Sequence, residues 1–220
     1  MEKLICGIDE AGRGPLIGPL IVAGIAIKES DIPELTELEV KDSKLHSPNR
    51  RKELFEEIKK IAQSYEIIKV PAQEIDSRST VGLNLNSLEA LKVANVLDKL
   101  KPDVAYVDSP TSPDGAHFEN LIREHLGNKN IEIHAGHKFD SKYPVVSAAS
   151  ILAKVTRDAE VKKIEEEVGE SIGSGYPADE ITQKFLKEHL NNSVSKYIRK
   201  TWATWKNLQA KKDQSSLGEF

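Results

Sequence analysis

The chain has 220 residues, with 31 Lys and Arg against 35 Asp and Glu for a formal charge of −4, and 39% of its residues are hydrophobic. That is enough for one large domain, or a domain with a small appendage, and Cys6 as the one cysteine excludes a disulfide-stapled miniprotein. The apolar stretch Pro15 to Ile27 has 13 residues, short of the roughly 20 that cross a membrane, and Asp9 and Glu10 interrupt any secretory leader. A monomeric protein of the reducing cytoplasm, with no membrane partner, is expected.

Residues 4–9 and 20–27 are β-rich runs on either side of the glycine- and proline-punctuated stretch 11–19, and they predict an antiparallel pair of strands. Ser47 and Pro48 then offer an N-cap and a first-turn proline, with Leu54, Phe55, Ile58, Ile61 and Ala62 following at helical spacing. Residues 65–70 read as a strand and 86–100 as a helix stopped by Pro102. Residues 103–108 read as a buried strand that Ser109-Pro110 ends. Phe118, Leu121, Ile122 and Leu126 mark another helix, 130–134 a strand, and 144 to about 168 a long helix. Two short helices are expected at 178–190 and 194–208. Residues 209–220, with few apolar side chains, read as a mobile tail. Strand and helix patterns that alternate in this way indicate an α/β domain.

Charge is distributed unevenly. Residues 29–39 carry five acids and no base, and 158–170 carry six acids and two lysines, both reading as solvated acidic faces. Residues 181–212 carry eight Lys and Arg against Glu188, interleaved with Tyr197, Trp202 and Trp205, and a second basic cluster spans 41–60. Either cluster alone fits an ordinary helix surface as well as a nucleic-acid footprint; together they make a phosphate-bearing substrate worth testing.

The chemistry begins at GIDEAGRGP, residues 7–15. Two carboxylates at a strand end, running into a turn with Gly12 and Gly14, set acids beside exposed backbone N–H groups, which suits a metal and a phosphate. Strand side chains alternate between faces, so Asp9 and Glu10 share a site only if the strand breaks at or just after them. Taken alone, the motif reads more readily as a turn with solvated acids. A dinucleotide fingerprint fits poorly, because an apolar strand follows where a helix is required. Asp108 closes another strand and Asp140 precedes the long helix, so the four acids could converge at one sheet edge. Such a set repels itself unless cations compensate, and hard oxygen ligands without cysteine favour Mg²⁺ or Mn²⁺ over zinc. His134 and His137 form an H-x-x-H that reads as structural or phosphate-facing rather than as a zinc site.

GIDEAGRGP at 7–15, DSK at 42–44, YVDSP at 106–110, HKFD at 137–140, SAASILAKVTRD at 147–158 and GSGYPAD at 173–179 occur in this order. Together they give the chain a resemblance to archaeal-type ribonuclease HII that runs from about residue 4 to 208. The resemblance implies an RNase H-like mixed β-sheet flanked by helices over 1–172, a C-terminal helical substrate-binding segment over 173–208, and a flexible tail over 209–220. It implies an endoribonuclease that hydrolyses the RNA strand of RNA–DNA hybrids and cuts duplex DNA on the 5′ side of an embedded ribonucleotide. The implied mechanism uses two metal ions, Mg²⁺ or Mn²⁺, and leaves 3′-hydroxyl and 5′-phosphate ends.

Carried over by motif, Asp9, Glu10, Asp108 and Asp140 are the catalytic, metal-binding acids, and Gly12, Arg13 and Gly14 read the ribose through its 2′-hydroxyl. Tyr176 matches the tyrosine that stacks on the sugar after the ribonucleotide. Lys44 matches a phosphate-contacting lysine, and Lys138, Ser147, Ser150 and Lys154 are candidates for the rim. Two rival readings are an RNase H-like nuclease acting on DNA structures and a non-catalytic hybrid-binding protein. Separately, Gln214, Leu217 and Phe220 fit Q-x-x-L-x-x-F, similar to the peptide by which repair enzymes dock on a sliding clamp.

Overall fold

The computed structural model describes residues 2–40, 46–110, 115–189 and 193–217, with side chains as far as Ala210. Its strands are β1 (Leu4–Ala11), β2 (Leu20–Lys28), β3 (Ser64–Val70), β4 (Val104–Asp108) and β5 (Glu132–Gly136). Its helices are α1 (Ile32–Glu37), α2 (Pro48–Ile61), α3 (Ala72–Ser77), α4 (Leu85–Leu100), α5 (Ala116–His125), α6 (Phe139–Lys142), α7 (Pro144–Val168), α8 (Glu180–Glu188) and α9 (Ala203–Leu217). Among the described residues no helix is long and apolar enough to cross a membrane.

The strands form one mixed sheet in the order β3-β2-β1-β4-β5. β2 runs antiparallel to β1, as the two β-rich runs predict, and also to β3, while β1, β4 and β5 are mutually parallel. In the parallel pair Ile8 lies opposite Val107, so Asp9 and Asp108 follow side by side where β4 ends and β1 nears its end. The carboxyl edge of the parallel strands is where an α/β sheet presents its ligand-binding crevice.

Local chemistry sets the helix ends. Ser47 Oγ accepts the N–H of Arg50 at 3.2 Å ahead of Pro48, and Asn84 Oδ1 accepts that of Ser87 at 2.9 Å. Gly169, at φ +83°, closes α7. Alternation along β1 and β2 feeds two cores. Cys6, Ile8, Leu20 and Val22 pack with α4 and α5; Ile5, Ile21, Ala23 and Ile25 pack with α2 and α7. At about 1.5–3 kcal/mol for each fully buried aliphatic side chain, these two layers hold the sheet. Two glycines set the spacing. A Cβ on Gly7 would stand 2.2 Å from the Val145 carbonyl of α7, and one on Gly24 would stand 2.4 Å from Val96 of α4.

A third core joins Leu16 and Ile17, in the β1–β2 loop, to Val161 and Ile164 of α7 and to Ile172, Phe185, Leu186, Val194, Ile198 and Trp205. The C-terminal segment is thus built onto the loop after β1 and the second half of α7. Backbone bonds secure it: Leu16 N–H to Gly175 O at 2.7 Å, Gly18 N–H to Tyr197 O at 2.9 Å and Arg199 N–H to Leu16 O at 2.8 Å.

Several boundaries differ from those the sequence predicts: β1 runs two residues further, to Ala11, and α1 and α3 are additional elements. A single helix over 194–208 is replaced by a 3₁₀ turn at Ser193–Tyr197 and the separate α9, because Ile198 leaves the helical path to bridge Ile17. β5 lies two residues later than 130–134, where its register with β4 pairs Asp108 with Gly136. The main chain expected as a tail from residue 209 is helical as far as Leu217, since Gln, Ala and Lys favour helix even without an apolar face.

Candidate active site

Asp9 sits at the buried end of β1, on the α7 side of the sheet. Its carboxylate accepts the Glu10 N–H at 2.7 Å and a hydrogen bond from Ser150, and the Lys154 charge acts on it. Burial first, and then the Asp108 charge, push its pKa up to about 7. Glu10 is half-buried on the opposite face of β1, which ends one residue later at Ala11, just after the acids, as their sharing a site requires. The two carboxylates meet around the strand end. Burial, then the charges of Asp9 and Asp108, push Glu10 up to about 8, with Arg13 opposing.

Asp108 caps the loop into α6. Its Oδ1 accepts the Phe139 N–H at 2.7 Å, and it also receives the Asp140 N–H. Its pKa is raised by burial and by the neighbouring Asp140 charge, against these N–H groups and His137. Asp140 is set by the left-handed Lys138 (φ 58°) that begins α6. Each of the four acids therefore acts electrostatically on another. They are not drawn into a tight ligand set, however: the group among the described residues with three ligand atoms within 4.8 Å of one another is Glu170, Glu188 and His189, on the C-terminal segment.

The turn after β1 is fixed from several sides. Gly12 has φ +84°, and a Cβ there would stand 2.7 Å from the Pro19 carbonyl. A Cβ on Gly14 would stand 3.3 Å from the Tyr176 ring, so tyrosine and turn face each other. Arg13 pairs with the buried Glu89 and donates to Asn86 Oδ1 at 2.7 Å, both on α4. Beside the turn, a cavity of about 440 Å³ lies between Glu10, Arg51, Lys154, Arg157 and Tyr176. Arg157 donates to the Ser174 carbonyl with its guanidinium 5.6 Å from the Tyr176 ring centre, and Arg51 donates to His46 O at 2.7 Å.

Several expected roles change. Arg199, counted in the basic surface, is fully buried and bonded to the turn, while Trp205 is core and Trp202 and Tyr197 are half-buried. Lys196 pairs with Glu167. Ser147 donates to the Val40 carbonyl at 2.9 Å inside the protein, away from the rim, whereas Ser150 and Lys154 do face Asp9. His134 pairs with Glu132 at 2.8 Å and stacks on Tyr106, a structural position, while His137 lies near Asp108. Lys44 lies outside the described residues, as does Phe220; Gln214 and Leu217 fall on the helical main chain of α9. The motif reading missed Arg51, Arg157, Asn86, Glu89 and Arg199. The spacing of Asn86 and Glu89, three apart on one helix, was the available signal for the Arg13 anchor.

A mixed sheet of this order flanked by helices is the ribonuclease H-like fold. The structure aligns with ribonuclease H2 from Pyrococcus horikoshii OT3 at a TM-score of 0.83 and 38% identity, covering 94% of this chain and 98% of that one. It also aligns with the PCNA:RNase HII complex from Archaeoglobus fulgidus at 0.81 and 41%, covering 90% and 95%. The ribonuclease HII family model matches residues 6–205, and ribonuclease HII of Pyrococcus furiosus is 46% identical over 98% of this chain and 97% of its own. The chain belongs to the ribonuclease HII family, and it is a type 2 ribonuclease H acting on RNA–DNA hybrids.

The raised carboxylates have a consequence for folding. Asp9 and Glu10 hold protons in the native protein up to about pH 7–8 but lose them near their ordinary values when unfolded. The native state therefore binds more protons across that interval, and stability falls as pH rises through it. In chelator, denaturant unfolding should show a more stable protein at about pH 5 than at about pH 8, with Asp9→Asn flattening the difference. A wild-type protein more stable at the higher pH would contradict this.

Proposed function

We propose that this chain cuts on the 5′ side of ribonucleotides embedded in duplex DNA, as well as within the RNA strand of hybrids, leaving 3′-hydroxyl and 5′-phosphate ends. The observation that most supports metal-dependent cutting is the register that sets Asp9 beside Asp108, with Glu10 and Asp140 near enough to act on them, a set of oxygen donors that repel one another until a cation compensates them. Asp9, Glu10, Asp108 and Asp140 would hold two divalent ions, Mg²⁺ or Mn²⁺. Bound there, such ions lower the pKa of the attacking water and stabilise the leaving oxygen.

The chain's own residues do the rest. Ser150 and Lys154 orient and partly neutralise Asp9. Gly12, Arg13 and Gly14 bring backbone close to the ribose, because two glycines leave no side chain in the way. Arg13 itself is held against α4, so it serves the turn as an anchor. Tyr176, exposed and backed by Arg157, offers a face on which the next sugar can stack. Lys154, Arg51 and Arg157 line the cavity as candidates for the phosphates, with Asp158 between the two arginines and paired with both at 3.4 and 3.7 Å. Lys44 is assigned a phosphate contact by motif.

Matched duplexes carrying zero, one or several ribonucleotides, offered with Mg²⁺, Mn²⁺ or chelator, test this reading. Cleavage should require a ribonucleotide and a divalent ion and map to its 5′ side, and Asp9→Asn or Asp108→Asn should lower the rate by about a thousandfold or more without unfolding the protein. Variants within a few-fold of wild type, or cutting of all-DNA duplex, would sink it.

We further propose that Gln214 to Phe220 docks on a sliding clamp. The sequence pattern and the solved clamp complex of the Archaeoglobus fulgidus relative support this. Deleting residues 214–220 should weaken clamp binding, measured by calorimetry, and spare hydrolysis of free substrate; unchanged clamp affinity would remove the idea.

A further inference from the structure

Arg199 comes from the stretch that sequence alone marks as a basic surface, yet its side chain is buried at 0% exposure. The guanidinium spans the interior to the turn after β1. Nη2 donates to the Gly12 carbonyl at 2.6 Å, Nη1 to that of Arg13 at 2.7 Å, and Nε and Nη2 to that of Gly18 at 3.0 and 2.9 Å. Its own N–H bonds Leu16, Ile198 bridges Ile17, and the Trp202 ring centre lies 5.2 Å from the guanidinium carbon. A charge buried this deeply is tolerated when its donors are satisfied, and here backbone carbonyls satisfy them.

The bonds fix more than the position of the loop. In a trans peptide the carbonyl of one residue and the N–H of the next point in opposite directions, and the described residues contain no cis peptide. Carbonyls of Gly12 and Arg13 drawn inward to Arg199 therefore turn the N–H groups of Arg13 and Gly14 the other way. The other side is the cavity that Gly14 and Tyr176 share. Arginine suits this task because its planar fork carries five donors at fixed angles; a lysine ammonium is a point that cannot hold three carbonyls of one turn in register.

We infer that Arg199 is a positioning residue that aims the Arg13 and Gly14 N–H groups at the ribose 2′-hydroxyl, and so sets the preference for a ribonucleotide over a deoxyribonucleotide. This rests on the reading of the turn as ribose reader. The C-terminal segment then acts in recognition through its interior as well as its surface. Asp76 braces the same segment by accepting the N–H groups of Lys200 and Thr201 at 2.7 and 3.0 Å.

The test uses full-length protein with Asp108→Asn to prevent cleavage, and measures affinity by fluorescence anisotropy for an all-DNA duplex and for the same duplex with one ribonucleotide. With Arg199 present the ribonucleotide duplex should bind about tenfold tighter, a hydrogen bond's worth, and Arg199→Lys should bring the ratio to about one with all-DNA affinity unchanged. A ratio within about twofold of the parent, or an equal loss on both duplexes, would overturn the inference, since a purely structural role moves both alike. A parent with no preference would instead overturn the reading of the turn, and this inference with it. Should Arg199→Lys fail to fold, Asp76→Ala, which loosens the segment and leaves the guanidinium present, is measured in its place. It is expected to lose part of the preference, and full retention would overturn the inference.

Discussion

Carboxylates gathered at a partly buried strand end repel one another, and in this protein that repulsion is built into the sheet. β1 and β4 run parallel with Ile8 opposite Val107, so register alone delivers Asp9 and Asp108 to adjacent positions, where β4 ends and β1 has two residues left. Burial raises the pKa of each, and each feels another acid's charge. An arrangement that costs folding energy persists when a bound cation restores the balance, and the surroundings fit that purpose. Gly7 lets α7 lie directly on β1, which brings Ser150 and Lys154 to Asp9, while the short α6 fixes Asp140 beside Asp108.

The second constraint is the turn between β1 and β2. Arg13 is tied to α4 through its side chain and to Arg199 through its carbonyl, and Leu16 and Gly18 are tied to Gly175 and Tyr197. The C-terminal segment, which composition presents as a cationic surface, is to a large extent the support of this turn. The position of the turn and the placement of the acids are thereby linked, because Gly12 follows directly on Ala11, the last residue of the strand that carries Asp9 and Glu10.

Much of this was legible in the sequence. The antiparallel pair, the strand ending at Asp108 and the long α7 follow from periodicity and from Gly and Pro punctuation, and the four acids stand out because strand ends are where an α/β sheet keeps its chemistry. Other features were not, for physical reasons. Asp9 and Glu10 occupy opposite faces of one strand, and their coupling to Asp108 depends on the register with the neighbouring strand, which one strand's pattern does not contain. The burial of Arg199 depends on carbonyls more than 180 residues away in sequence. Trp205 and Ile198 are read as helix-surface or helix-face residues until the loop holding Leu16 and Ile17 is seen to cover them. The helix over 203–217 follows local propensity, whereas the expectation of a tail followed from the lack of an apolar face.

The proposed role of the crowded carboxylates is to form a cation site. It is tested most directly by calorimetric titration of the substrate-free protein with Mn²⁺ at about pH 7, in two buffers of different ionisation enthalpy, so that proton release is measured together with binding. A cation site at these acids predicts binding accompanied by release of protons, because Asp9 and Glu10, pushed up to about 7 and about 8, must give them up to the metal. It also predicts that Asp9→Asn weakens binding and reduces the release. Binding with no proton release, or unaltered by Asp9→Asn, would contradict it.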